Sequence, residues 1–123
     1  MDSKWLALGA TFGGLAVVLG AFGAHALAKV LDENAKSTYE IAVRYQMYHA
    51  FLLIVIYLLS QQETSKILEI AGWSATIGII VFSGSLYLLA LTDVKIFGAI
   101  TPLGGIGFIL SWILVAFTGF KSM

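Results

Sequence analysis

Four long apolar runs constrain this chain more than any other feature: Trp5 to Ala28, Ala42 to Ser60, Ile70 to Leu91, and a last one from about residue 99 to Phe120. No charged residue lies inside the first, third or fourth. Even the second run, 19 residues long, covers about 28 Å as a helix, close to the ~30 Å hydrocarbon core of a bilayer. Each run is therefore long enough to cross a membrane once. Of the 123 residues, 59% are hydrophobic and 11% charged, against about 45–50% apolar and about 25% charged in ordinary soluble domains. Mean hydropathy is +0.93, and a soluble fold would leave much of that apolar surface in water. The expectation is an all-α integral membrane bundle of four transmembrane helices, with residues 1–123 forming one domain.

Strands of a membrane barrel would need segments of ~10 residues that alternate polar and apolar. The run Ile77-Gly78-Ile79-Ile80-Val81-Phe82 does not alternate. The 13 glycines suit membrane helices, whose backbone hydrogen bonds cannot be traded for water. Ala24-His25-Ala26 and Ala26-Leu27-Ala28 imitate small-x-small cleavage sites. The first run, however, is well beyond the ~7–15 residues of a secretory apolar region, so it is expected to remain as a span.

Between the first two spans, Lys29 to Tyr45 is the one sizeable polar segment, and its Lys36, Glu40 and Arg44 are spaced to line one helical face. A short amphipathic helix running directly into the second span is expected, with Asp32 or Asn34 near its start. The other connections, Gln61 to Glu69 and Thr92 to Lys95 or on to Ile100, are short and make successive helices antiparallel neighbours. Pro102 has two readings. Either Thr101 caps the last helix with proline at its first position, leaving Ile96 to Ile100 irregular, or a longer helix contains Pro102 and loses a bond to the Gly98 carbonyl. The cap is the expectation.

Seven basic and seven acidic residues cancel, which gives no electrostatic footprint for nucleic acid and no polybasic tail for anionic lipid. The absence of cysteine removes disulfides, thiolate catalysis and cysteine-ligated metals. Four spans place both termini on one side. Lys4, Lys66 and Lys121 on that side against Lys29, Lys36, Arg44 and Lys95 on the other leave the orientation undecided by charge.

Small residues at helical spacing mark close helix contacts: Gly9 with Gly13, Ala10 with Gly14, Ala16 with Gly20 and Ala24, and Gly104, Gly107 and Ser111 in the last span. Trp5, Arg44 and Tyr45 are of the types that anchor helices at the lipid interface. His25 and His49 lie at the end of the first span and the start of the second, so antiparallel packing would bring them to one membrane end. Two facing imidazoles could ligate haem iron or a divalent metal, or carry protons. Hydrogen bonding to neighbouring helices is the plainer role for both. Gln46 and His49 lie deeper than an anchor needs, and Ser83, Ser85 and Tyr87 return to the same face. These residues give a candidate polar cluster of His25, Gln46, His49, Ser85 and Tyr87. No acid lies in any span and no Ser-His-Asp or paired-carboxylate grouping assembles, so no enzyme, resident metal or cofactor is expected.

The motifs Gly20-Ala21-Phe22-Gly23-Ala24-His25, Tyr45-Gln46-x-Tyr48-His49, Phe82-Ser83-Gly84-Ser85-Leu86-Tyr87 and Thr101-Pro102-Leu103-Gly104-Gly105 occur in this order. Together they resemble a domain-of-unknown-function family of small four-span bacterial inner-membrane proteins, the YgdD/YwdK-like DUF423 family. The resemblance implies a four-helix membrane fold in a bacterial plasma membrane, with no activity, substrate or cofactor to carry over. Its motifs fall at His25, Gln46, His49, Ser83, Ser85, Tyr87 and Pro102. It also implies cytoplasmic termini, since relatives tend to be more basic in the second connection and the C-terminal tail. This chain has only Lys66 and Lys121 there.

Three functions compete on this reading. The first is a non-enzymatic structural or accessory factor that packs through its glycine-rich first span against itself, as a homo-oligomer, or against a larger membrane partner. The second is a small oligomeric transporter or channel, although the first span lacks the buried glutamate of small multidrug exporters. The third is bis-histidine haem or quinone binding by His25 and His49.

Overall fold

The computed structural model describes residues 3–63 and 65–123. Its elements are helices α1 (Lys4–His25), α2 (Glu33–Gln62) and α3 (Lys66–Gly78), a π-helical segment (Ile79–Ser83), α4 (Gly84–Thr92) and α5 (Ile96–Lys121). The segment from α3 through α4, Lys66–Thr92, forms one span, and α1, α2 and α5 are the other three. The bundle is all-helical with four membrane-length apolar helices, as the four runs predict.

Local chemistry sets the ends. The Asp32 carboxylate accepts from the Ala35 amide at 2.8 Å and caps α2, so Asp32 rather than Asn34 starts that helix. Ser65 Oγ accepts from the Ile67 amide at 3.1 Å at the start of α3. The turn between α4 and α5 passes through Asp93 at φ 57°, a left-handed conformation that a short polar side chain tolerates. α1 ends at His25, so Ala26 to Ala28, expected in the first span, lie in the turn. The amphipathic segment and the second span are a single 30-residue helix. At about 45 Å it exceeds the hydrocarbon thickness, and its charged first turns reach beyond it.

Two expectations are corrected. Pro102 lies inside α5, which begins at Ile96 rather than at a Thr101 cap. An irregular stretch from Ile96 to Ile100 would leave backbone amides without partners in lipid, whereas a membrane helix tolerates the one bond that proline removes. Trp5 is not an interfacial anchor: its side chain is 2% exposed and packs on Gly72, where a Cβ would collide with the indole. It belongs to a clamp between α1 and α3. Lys4 pairs with Glu69, the Trp73 indole N–H donates to Glu69 at 3.3 Å, and the Trp5 and Trp73 rings meet edge-on at 5.2 Å.

The helices pack largely in chain order, α1 on α2, α2 on the third span and the third span on α5. The core gathers Leu52, Leu53 and Ile56 of α2, Leu68, Ala71 and Ala75 of α3, Phe108 of α5 and Trp5. α1 is peripheral: 11% of its apolar window is buried, against 44% for the third span. Its small residues are used on α2, since a Cβ at Gly9 would lie 2.9 Å from the Ala50 carbonyl oxygen, and Gly13 and Gly20 rest on Ala50 and Val43. On α5, Gly104 touches the Phe82 backbone and Gly107 approaches the Ser74 carbonyl. Gly14 has no atom within 4 Å of its missing Cβ. Gly104→Val is therefore expected to destabilise the bundle by about 1–3 kcal/mol, and Gly14→Val to leave it unchanged. Unfolding curves in detergent check both.

Candidate functional site

α2 carries Tyr39, Ala42, Gln46 and His49 along its buried stripe, the i, i+3, i+7, i+10 spacing of one helical face. Each meets a polar partner across the bundle or on its own helix. Gln46 Nε2 donates to the Phe12 carbonyl at 2.8 Å, and Gln46 Oε1 accepts from the Tyr87 hydroxyl at 2.7 Å. One side chain thus joins α1, α2 and α4. The Tyr39 hydroxyl donates to the Leu19 carbonyl at 2.5 Å, and its ring meets Tyr87 edge-on at 5.3 Å. Ser83 donates to the Ala42 carbonyl at 2.7 Å. Ser85 and Thr101 hydroxyls lie 2.5 Å apart and join α4 to α5.

His49 sits beside this seam at 3% exposure. Its Nδ1 lies 2.7 Å from the Tyr45 carbonyl, and its Nε2 lies 3.0 Å from the Trp112 indole nitrogen. A carbonyl only accepts and an indole N–H only donates, so this network assigns the proton to Nδ1 and the lone pair to Nε2. The ring also stacks on Phe108 at 3.5 Å, nearly parallel at 8°.

Above the stack a groove of about 650 Å³ opens sideways between α2, the π segment and α5, lined by Tyr45, Tyr48, His49, Phe51, Phe82, Gly105, Phe108, Ile109 and Trp112. Its residues on α5 straddle the middle of that helix, so the groove lies at mid-height. Tyr45, expected at the interface, belongs here: it is 12 residues into α2 and its ring meets Phe82 at 4.8 Å. Arg44 is exposed on the outer face of α2.

The chain covers 95% of its length, at 46% identity, in alignment with 95% of the UPF0382 membrane protein of Staphylococcus haemolyticus. It is 43% identical to the UPF0382 membrane protein YwdK of Bacillus subtilis, over 95% of this chain and 96% of that one. A Haemophilus influenzae UPF0382 membrane protein is 39% identical over 99% and 98%. The family described as a protein of unknown function, DUF423, matches residues 19–105. The chain belongs to the DUF423 family. No solved structure matches.

The DUF423 match contains Gln46, His49, Ser85 and Tyr87, whereas Phe108 and Trp112 lie beyond it. Of the expected cluster, Gln46 and Tyr87 bond directly, Ser85 pairs with Thr101, and His49 stands apart on Trp112. His25 does not join them. It is exposed at the end of α1, while Ala50, next to His49, packs on Gly13, about 18 Å back along α1. The two histidines therefore cannot share an iron, and His49 Nε2 is already bonded. Among the described residues no three His, Cys, Asp or Glu side chains converge on a metal position. Sequence reasoning missed Phe108 and Trp112, although their i, i+4 spacing put both aromatic rings on one face of α5.

A double-mutant cycle of Gln46→Leu and Tyr87→Phe is expected to give a coupling of about 0.6 kcal/mol, within the ~1.7 kcal/mol upper range for membrane helices. Unfolding in mixed micelles measures it.

Proposed function

We propose that this DUF423 protein is a non-enzymatic structural or accessory factor of the bacterial plasma membrane that works by helix association, with α1 as its docking helix and a second copy as its first partner. One observation carries the reading: among the described residues every buried polar side-chain atom is hydrogen-bonded within the bundle. Polar groups so engaged hold helices together, whereas catalysis or translocation needs polar groups converging on an open space. The core between the spans is filled by leucine, isoleucine, alanine and phenylalanine side chains.

The docking role follows from the position of α1. Along its 22 residues only Trp5, Gly9 and Ala16 are buried, and the outward side presents Ala10, Gly14 and Val17, which permit a close helix approach. Both termini are assigned to the cytoplasm on the family resemblance, since the lysines divide evenly.

The chain has no cysteine, so single replacements report cleanly. Oxidation of Gly14→Cys in native membranes is expected to give a disulfide-linked dimer, while Ile113→Cys on the outer side of α5 stays monomeric. Monomers from both, or equal crosslinking from both, contradict the proposal.

A further inference from the structure

The groove beside His49 is not used by the helix-association reading, and its chemistry specifies a ligand. Its floor is fixed: the His49 ring is held by two hydrogen bonds and stacked on Phe108. Its wall is shaped by the π-helical segment Ile79–Ser83, which carries Phe82. Single π-helical turns inside α-helices occur frequently at functional sites. Gly105 keeps the space open, since a Cβ there would first meet the Phe82 ring at 3.9 Å.

Two further facts limit the occupant. The groove lies at the middle of the bundle's height, where a phospholipid's charged headgroup cannot follow. Tyr45 and Tyr48 line it, and their hydroxyls have no hydrogen-bond partner among the described residues. A hydroxyl without an acceptor in hydrocarbon is costly, and acyl chains offer none. The fitting ligand is uncharged, flat and lipid-soluble, with oxygen acceptors on its ring. A volume of about 650 Å³ is within the range of small-molecule sites.

We propose that this groove is a lateral binding site for a lipid-soluble quinone. The ring lies against Phe82 and the half-exposed indole of Trp112 at aromatic offset distances, and its carbonyl oxygens accept from Tyr45 and Tyr48. Trp112 keeps its bond to His49, so ligation by the imidazole is not involved, and binding alone is assigned.

The test uses the whole protein in phosphatidylcholine nanodiscs, titrated with a short-tailed menaquinone and read by tryptophan fluorescence. Saturable quenching is expected in the wild type and is expected to be lost in Gly105→Leu, whose side chain fills the groove. Tyr45→Phe/Tyr48→Phe should weaken menaquinone binding about three- to tenfold, the effect of lost hydrogen bonds. It should not change binding of a methylnaphthalene with the same tail. Where Gly105→Leu lowers the unfolding temperature, the tyrosine variant decides alone. Non-saturable quenching that is equal in all variants, or equal affinity for the carbonyl-free probe, shows a groove filled by bulk lipid and overturns the proposal.

Discussion

Hydrocarbon cannot accept or donate a hydrogen bond, and the way this bundle's buried polar side chains are engaged follows from that constraint. Ser60, Thr76, Thr92 and Thr118 return their hydroxyls to the carbonyl four residues earlier on their own helix. Gln46 sends its side-chain amide N–H, and Tyr39, Ser83 and Ser111 their hydroxyls, to backbone carbonyls of neighbouring helices instead. Helix α1 is joined to α2 in this way through Phe12 and Leu19, and α2 to the third span through Ala42. Small residues let the backbones come close enough for these short side chains to reach, as at Gly9 and Gly104.

The same constraint explains how much of the fold was legible. Four apolar runs of spanning length can do little but cross, so the four-span architecture follows from length and composition. The Gln46 and Tyr87 contact was legible because antiparallel spans return polar residues to the same height. The histidine pairing was not, because it needed the height of His49 on α2. The helix starts at Glu33, well outside the hydrocarbon, so His49 lies several turns along the bundle from His25. Pro102 misled for a related reason: its cap role is a rule of water-exposed helix ends, and in lipid an unbroken helix with one lost bond is the lower-energy choice. Trp5 looked like an anchor by residue type, and only the packing on Gly72 showed it to be core.

The interior polar side chains are engaged in holding the helices together, so both proposals rest on the exterior. Two outer features stand out, and both depend on the bundle's chain-ordered packing. One is the peripheral α1, which touches the rest mainly through α2. The other is the aromatic groove between α2 and α5, whose rings come from α2, the π-helical segment and α5. The DUF423 relatives of Staphylococcus, Bacillus and Haemophilus align along nearly their whole lengths.

Lipid exposure of the outer side chains is the claim beneath all of this. Spin labels on single cysteines at Val17, Val55, Ile77 and Ile113, one on each span and each exposed in the structure, measure it directly in lipid vesicles. All four labels should collide freely with oxygen and be shielded from a water-soluble nickel chelate. Ready access of the chelate to these positions would mean that water, not hydrocarbon, surrounds the bundle, and would contradict the account.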